Sequence, residues 1–218
     1  MIISWLGQAC VSIKSKEGKI LVIDPYASSI GITMPAVTAD ALLVTHAHRD
    51  HNNVAGVGGK PFLIQEPGEY EVGGFFVEVV SSFHDDKEGG ERGENLIYVI
   101  SNEGFRIAHF GDFGQNELSP AQLEALGQID IAFIPVGGFY TINGAGAAKL
   151  VHQLEPKVAV PMHYQIPGLT IKELAGPEAF FDALGMQAEG AKETWNVKVT
   201  DFPQEGTRVM QMVPLHAK

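Results

Sequence analysis

Short runs of apolar residues, separated by glycines, prolines and charged residues, fill the first half of the chain. Runs of this length and composition are typical of β-strands. The first three are predicted to pair as an antiparallel meander, and Pro67-Gly68 and Gly73-Gly74 are predicted to be hairpin turns. The predicted strands span residues 2–6, 10–14, 19–23, 41–44, 62–65, 69–72, 75–80, 95–100 and 105–110.

Helical periodicity is clear only in the second half of the chain. Ser119 and Pro120 supply an N-cap and a first helical residue for a helix that ends at Gly127. A second helix is predicted for residues 144–154, whose apolar positions fall on one face, and a third for residues 177–184. Further strands are predicted for residues 129–136, 158–161 and 208–213. Because no long linker or fixed repeat interrupts the pattern, we expect a single domain across residues 1–218.

The composition is that expected of a soluble protein with a sizeable core. Hydrophobic residues make up 45% of the chain, no stretch approaches 18 uninterrupted apolar residues, and the N-terminus does not read as a signal peptide. The single cysteine, Cys10, excludes an internal disulfide, fits a reducing cytoplasm and is expected to be a packed thiol. The formal net charge of −11 disfavours a general nucleic-acid surface but permits a small anionic substrate.

Residues 45–51 carry the most distinctive chemistry, since they read T-H-A-H-R-D-H directly after the predicted strand at residues 41–44. Crowded imidazoles and carboxylates need a partner that offsets their desolvation, and a divalent metal ion is such a partner. From this turn His46 and His48 can face one ion while Asp50 and His51 face another. Mixed nitrogen and carboxylate donors suit zinc and similar metals. We therefore predict a metal site rather than a polar loop that happens to be rich in histidine.

Other residues of metal-binding type follow the ends of predicted strands. Asp24 is either a turn residue or an acceptor for the N–H of a metal-bound histidine, and the glycines beside Asp112 allow a tight turn to present its carboxylate. His109 is expected to face the core in a structural or supporting role, and His152 to be partly exposed on its helix. The candidate metal ligands are His46, His48, Asp50, His51, His84, Asp112 and His163.

Two further features bear on the substrate. Residues 85–94 are charged and rich in glycine. They form either a solvated hairpin loop or a mobile loop over the site, in which Arg92 is available to an anionic group. Tyr140 and Tyr164 each lie near a motif, so each is either a hydrogen-bond donor to the substrate or a packed aromatic residue. Both choices are open at this point.

The order of the motifs resembles that of the metallo-β-lactamase superfamily: I-D-P, then H-x-H-x-D-H, an isolated histidine, G-D and a late histidine. The similarity runs from Trp5-Leu6-Gly7 to His163. Within the superfamily, the pieces F-H-D, G-D-F-G, I-P-V-G-G-F-Y-T and P-M-H-Y are similar to the branch of small bacterial and archaeal hydrolases related to ascorbate-6-phosphate lactonase. The resemblance implies an α+β fold, a four-layered αββα sandwich with metal ions at one edge.

The resemblance also implies how the ligands divide between two divalent ions, with zinc expected first and manganese or iron as alternatives. His46, His48 and His84 would hold one ion, Asp50, His51 and His163 would hold the other, Asp112 would bridge them, and Asp24 would support the ligands. Relatives often read L-G-H where this chain has Leu6-Gly7-Gln8, so the contribution of that histidine is altered here. Diiron oxygen reductases carry glutamate at the position of His48, which disfavours that activity.

The leading hypothesis is a hydrolase that uses a hydroxide held between two metal ions to cleave an ester, lactone or phosphodiester bond of a small molecule. Asp50 would orient the nucleophile and pass a proton to the leaving group. The alternatives are a mononuclear iron dioxygenase of sulfur compounds and a non-catalytic, metal-dependent binding protein. No nucleic-acid or membrane partner is expected, and a homo-oligomer is left open. A β-lactamase proper is disfavoured because the chain shows no signal peptide.

Overall fold

The computed structural model describes residues 1–215, which form two β-sheets and three α-helices. In chain order the strands are β1 (Ile2–Gly7), β2 (Cys10–Lys14), β3 (Ile20–Ile23), β4 (Thr38–Leu43), β5 (Gly58–Ile64), β6 (Glu69–Val72), β7 (Phe75–Phe83), β8 (Glu94–Asn102), β9 (Phe105–His109), β10 (Ile131–Pro135), β11 (Val158–Met162), β12 (Glu189–Lys192), β13 (Thr194–Asn196) and β14 (Arg208–Met212). The helices are α1 (Pro120–Leu126), α2 (Gly144–Leu154) and α3 (Glu178–Leu184). The strand order is β13-β1-β2-β3-β4-β5 in the first sheet and β12-β14-β11-β10-β9-β8-β7-β6 in the second.

Strand direction determines which strand ends meet. In the first sheet β1, β2 and β3 pair antiparallel, as predicted, while β3, β4 and β5 pair parallel. In the second sheet β7, β8 and β9 are antiparallel, while β9, β10 and β11 are parallel. The carboxyl ends of β1, β3 and β4 therefore share one edge of the first sheet, and those of β7, β9 and β11 share one edge of the second.

The two sheets share a hydrophobic core. Trp5 and Ile13 of the first sheet belong to the same buried cluster as Phe75, Tyr98 and Phe133 of the second. The helix α2 buries its apolar face and forms the crossover between the parallel strands β10 and β11. This architecture confirms the expected α+β sandwich. Among residues 1–215 there is no helix with the length and apolar character needed to cross a membrane.

Two details of the fold differ from the sequence prediction. The segment Pro67-Gly68 is not a hairpin turn, because β5 pairs with β4 in the first sheet whereas β6 pairs with β7 in the second. It carries the chain from one sheet to the other. The strands β12 and β13 were not predicted, because their short runs are interrupted by charged residues. Pairing with β1 defines β13, in which the buried Trp195 lies opposite Ile3.

Candidate metal centre

Each candidate ligand lies beyond the carboxyl end of a strand, at the edges described above. The turn after β4 carries four of them, and β7, β9 and β11 are each followed by one more. The structure brings all seven together in two groups, whose potential ligand atoms lie within 4.8 Å of one another in each group. The first group is His46, His48 and His84, and the second is Asp50, His51, Asp112 and His163.

The carboxylate of Asp112 lies between these two groups. Its Oδ2 is 3.1 Å from Nε2 of His84 and 3.8 Å from Nε2 of His46. Its Oδ1 is 3.2 Å from Nε2 of His51 and 3.2 Å from Nε2 of His163. One oxygen therefore faces the first group and the other oxygen faces the second.

A tight turn presents Asp112 in this position. Gly111 has φ +53°, in the left-handed region, and a Cβ atom on it would lie 2.5 Å from Oδ1 of Asn95 and 2.7 Å from Cβ of Thr45. Oδ1 of Asn95 also accepts a hydrogen bond of 2.9 Å from the backbone N–H of Asp112. The glycine expected beside this aspartate is therefore required by both its backbone conformation and the available space.

Several polar atoms of the two groups are buried without a hydrogen-bond partner among the described residues. They include Nε2 of His46, and also Nε2 of His51 and Oδ1 of Asp112, which lie 3.2 Å apart but without the geometry of a hydrogen bond. A buried polar atom left without a partner costs roughly 1–3 kcal/mol, so a cluster of them requires an explanation. Imidazole nitrogens and carboxylate oxygens are ligands for divalent metals, so the residues present fit a metal ion.

Asp24 contacts the second group through the ring of His51. Its Oδ2 lies 3.0 Å from Nδ1 of His51 and accepts a hydrogen bond of 2.8 Å from Oγ1 of Thr45, whose backbone N–H donates to Oδ1 at 2.8 Å. With Nδ1 of His51 donating to the carboxylate, Nε2 of the same ring is left for the centre. Of the two predicted roles for Asp24, the structure therefore supports the acceptor for a candidate ligand.

His109 and His152, which were not among the candidate ligands, lie outside the two groups. His109 is fully buried, and its Nε2 lies 2.8 Å from the carbonyl oxygen of Ala9, which fits the structural role expected of it. His152 is exposed on α2. Cys10 is a buried free thiol, as predicted.

Burial and neighbouring charges set the protonation of the centre. Burial lowers the pKa of His46 to about 3, and the nearby His51 acts in the same direction, so the ring of His46 is neutral. Burial lowers the pKa of His51 too, but the carboxylates of Asp112, Asp24 and Asp50 outweigh it and raise this pKa well above its ordinary value. Since a histidine binds metal in its neutral form, metal binding at His51 would release a proton.

A cavity of about 480 Å³ opens onto both groups, and its wall includes His48, Asp50 and Tyr140. Tyr140 therefore lines the same cavity as members of both groups. Tyr164 does not line this cavity, because its buried ring packs 5.1 Å from the ring of Trp5 and its hydroxyl interacts with Gln211. Of the two interpretations of Tyr164, these contacts support the packed aromatic residue.

An adjoining cavity of about 450 Å³ shares His84 and Tyr140 with the first and is also lined by Arg92 and Lys149. The Nη2 of Arg92 donates a hydrogen bond of 3.3 Å to the carbonyl oxygen of Phe139, and its guanidinium carbon lies 6.0 Å from the centroid of the Tyr140 ring. Phe139 has φ +60° and is 60% exposed beside these residues. Sequence reasoning gave Phe139 no role.

The loop at residues 85–94 folds around the side chain of Asp85, which is buried. Its two carboxylate oxygens accept hydrogen bonds of 2.6–2.9 Å from the backbone N–H groups of Lys87, Gly89, Glu91 and Arg92. This carboxylate organises the loop and directs the Arg92 side chain to the second cavity. The sequence shows an aspartate followed by charged residues and glycines, but it does not show which backbone groups the aspartate binds.

The structure adds Gln8 to the centre, a residue that the sequence marked only as a departure from relatives. Its side chain is fully buried, and Nε2 lies 2.8 Å from Nε2 of His163 and 3.1 Å from Oδ2 of Asp50. Gln8, Asp24 and His163 all have positive φ angles, of 51°, 49° and 50°. Non-glycine residues adopt this conformation at a cost, and such residues cluster at functional sites.

Comparison with known proteins supports a common family. The family model described as "Beta-lactamase superfamily domain" matches residues 2–163. A protein of Thermococcus kodakarensis named UPF0173 metal-dependent hydrolase is 31% identical, in an alignment that covers 86% of this chain and 93% of the relative. A crystal structure of a candidate zinc-dependent hydrolase of the metallo-β-lactamase superfamily from Thermotoga maritima is 32% identical and superposes with a TM-score of 0.78, covering 97% of each chain. A metallo hydrolase of Ignicoccus hospitalis, 19% identical with a TM-score of 0.66 over 90% of this chain and 99% of that one, shares the fold.

Proposed function

Since the chain belongs to the metallo-β-lactamase superfamily, we propose that it is a metal-dependent hydrolase of a small molecule, in which one domain spanning the chain holds two divalent ions. The observation that carries the proposal is the placement of Asp112, whose two carboxylate oxygens face different groups of imidazoles. A mononuclear site does not need a carboxylate shared in this way. The relatives from Thermococcus and Thermotoga are likewise described as metal-dependent or zinc-dependent hydrolases.

The proposed ligands follow the two groups. His46, His48 and His84 hold one ion, Asp50, His51 and His163 hold the other, and Asp112 bridges them. Mixed imidazole and carboxylate donors favour zinc, with manganese or iron as alternatives. When bound, such ions supply a water activated near neutral pH and stabilise negative charge that develops on the substrate.

The proposed bond is an ester, a lactone or a phosphodiester. Asp50 lies in the cavity wall, with its side chain 20% exposed, so its carboxylate reaches both the metal centre and a bound substrate. We assign to it the orientation of the attacking water and the transfer of a proton to the leaving group. We assign to Tyr140, which lines both cavities, the donation of a hydrogen bond to the substrate.

An anionic substituent on the substrate fits the second cavity, because Arg92 and Lys149 both line it. Asp85 and Asp86 line the same cavity, so the cations must outweigh nearby carboxylates. A small anionic ester, including a phosphorylated lactone, is therefore the substrate class that we propose. The cytoplasm is the proposed location, because the chain has a single buried cysteine and no disulfide.

Replacing one ligand tests this assignment. In His48→Ala we expect about one metal ion fewer per chain and a loss of hydrolysis of at least 100-fold, measured by elemental analysis and by turnover of ester, lactone and phosphodiester substrates. His152→Ala is the matched control, because it removes an exposed imidazole from α2. Full metal content and full activity in His48→Ala would show that the assignment is wrong.

A further inference from the structure

The second group of ligands contains a buried amide. Nε2 of Gln8 lies 2.8 Å from Nε2 of His163 and 3.1 Å from Oδ2 of Asp50, and both of these residues are assigned above to the second ion. Oε1 of the same amide is buried and has no hydrogen-bond partner among the described residues. The NH2 group of the amide therefore faces the proposed ligands. The oxygen, which is the atom able to bind a metal, has no partner among the described residues.

The backbone at Gln8 adopts a conformation that glutamine does not favour. The residue has φ +51° in the turn between β1 and β2, a conformation that costs most residues roughly 1–2 kcal/mol and that asparagine or glycine adopts more readily. The carbonyl oxygen of Gln8 accepts hydrogen bonds from Nε1 of Trp5 at 2.8 Å and from the backbone N–H of His163 at 3.1 Å. Because these bonds fix the turn, only the side chain is free to change its orientation.

The amide cannot keep this orientation when the second ion is bound. Its NH2 group only donates hydrogen bonds, and an imidazole nitrogen that accepts such a bond has no lone pair left for a metal. A half-turn about the Cγ–Cδ bond exchanges the nitrogen and oxygen of the amide without moving the rest of the side chain. Oε1 then takes the place of Nε2 between His163 and Asp50, where a metal ion provides the partner that it lacks.

We propose that Oε1 of Gln8 is a further ligand of the second ion, a neutral oxygen beside the imidazoles and carboxylates of that group. The inference rests on the proposed function, because it requires a second ion. Carbonyl oxygens are established ligands of divalent cations, so the donor type is suitable. The turn at Gln8 thus takes part in the centre together with the strand ends that carry the other ligands.

Three variants at this position separate an oxygen ligand from other roles. Gln8→Leu keeps the bulk but removes both polar atoms, Gln8→Asn keeps the amide but is one methylene shorter, and Gln8→Glu places an oxygen at either end. Metal-free proteins are titrated with Mn²⁺, and the number of bound ions and the dissociation constant of each are measured by calorimetry and by electron paramagnetic resonance. We expect the second ion to bind at least tenfold more weakly in the leucine and asparagine variants and to be retained in the glutamate variant, with the first ion unaffected.

The outcomes distinguish this inference from the proposed function. If wild-type protein binds two ions and Gln8→Leu and Gln8→Asn bind the second as tightly or more tightly, the amide is not a ligand and this inference alone fails. Failure of Gln8→Glu to retain the second ion would also overturn it. If wild-type protein binds fewer than two ions, both proposals fail. Gln8→Asn is expected to fold, because asparagine tolerates the left-handed turn. In every variant, unchanged binding of the first ion shows that the fold is intact.

Discussion

Replacing Asp24 with asparagine should favour the tautomer of His51 that cannot bind a metal. Oδ2 of Asp24 lies 3.0 Å from Nδ1 of His51, so in the neutral ring that binds a metal Nδ1 keeps the proton and Nε2 faces the centre. Oδ1 accepts a bond from the backbone N–H of Thr45, so asparagine must keep its oxygen there and place its NH2 group against His51. The ring then accepts through Nδ1 and carries its proton on Nε2, which can no longer bind a metal.

The size of the effect follows from these contacts. Loss of such a support for a metal-bound histidine typically lowers metal affinity 10–100-fold, or about 1.4–2.8 kcal/mol. The lost charge-assisted hydrogen bond costs the fold roughly 1.5–3 kcal/mol, part of which is offset because a buried charge is removed. With a net cost of about 1–2 kcal/mol, the unfolding midpoint of the metal-free protein should fall by only about 2–8 °C.

Calorimetric titration of Asp24→Asn with Zn²⁺ should therefore show weaker binding of the second ion and nearly native binding of the first. Asp40→Asn is the matched control, since Asp40 accepts hydrogen bonds from Lys19 and Ile20 at the start of β4 rather than at the centre. If Asp24→Asn remains folded and binds the second ion with native affinity, the proposed role of Asp24 is refuted.

Two further predictions concern the stability of the fold. Gly111→Ala should lower both metal content and stability, because its Cβ would lie 2.5 Å from Oδ1 of Asn95 in a left-handed turn; native metal content in this variant, by elemental analysis, would contradict the prediction. Glu103→Gln should destabilise the protein by about 1 kcal/mol at pH 7, because Glu103 accepts hydrogen bonds from the amino group of Met1 at 2.8 Å and the backbone N–H of Lys16 at 2.6 Å. Burial raises the pKa of Glu103, but these bonds outweigh it and lower the pKa below 4.5, so the stabilisation is complete above that pH and is lost as the pH falls through the lower folded value. Denaturant unfolding of both proteins should therefore differ at pH 7 and converge at acidic pH, and a constant difference would contradict this account.

The sequence could single out the candidate ligands, which the structure brings together, because residues of metal-binding type have a chemical signature independent of packing. His46 to His51 form a dense motif after a buried strand, and Asp112 stands between glycines. The same pattern did not show that the two oxygens of Asp112 face different groups, because that depends on how strands distant in sequence pair. Alternation of polar and apolar residues gave the strands but not their partners, and for that reason Pro67-Gly68 was predicted to be a hairpin turn.

Gln8 and Arg92 show a different limit of sequence reasoning. A single glutamine after a strand has no distinctive pattern, and its place in the centre depends on the turn between β1 and β2 meeting the residue after β11. Arg92 reaches the second cavity because the backbone of its loop wraps around Asp85. In both cases the position of the side chain depends on backbone hydrogen bonds, which residue types alone do not specify.

Asp112 is proposed to bridge two metal ions. Anomalous diffraction from crystals of the zinc-loaded protein tests it directly. We predict two peaks per chain, one beside His46, His48 and His84 and one beside Asp50, His51 and His163, with one oxygen of Asp112 bonded to each. A single peak, or two peaks of which one lacks Asp112 as a ligand, would contradict the account.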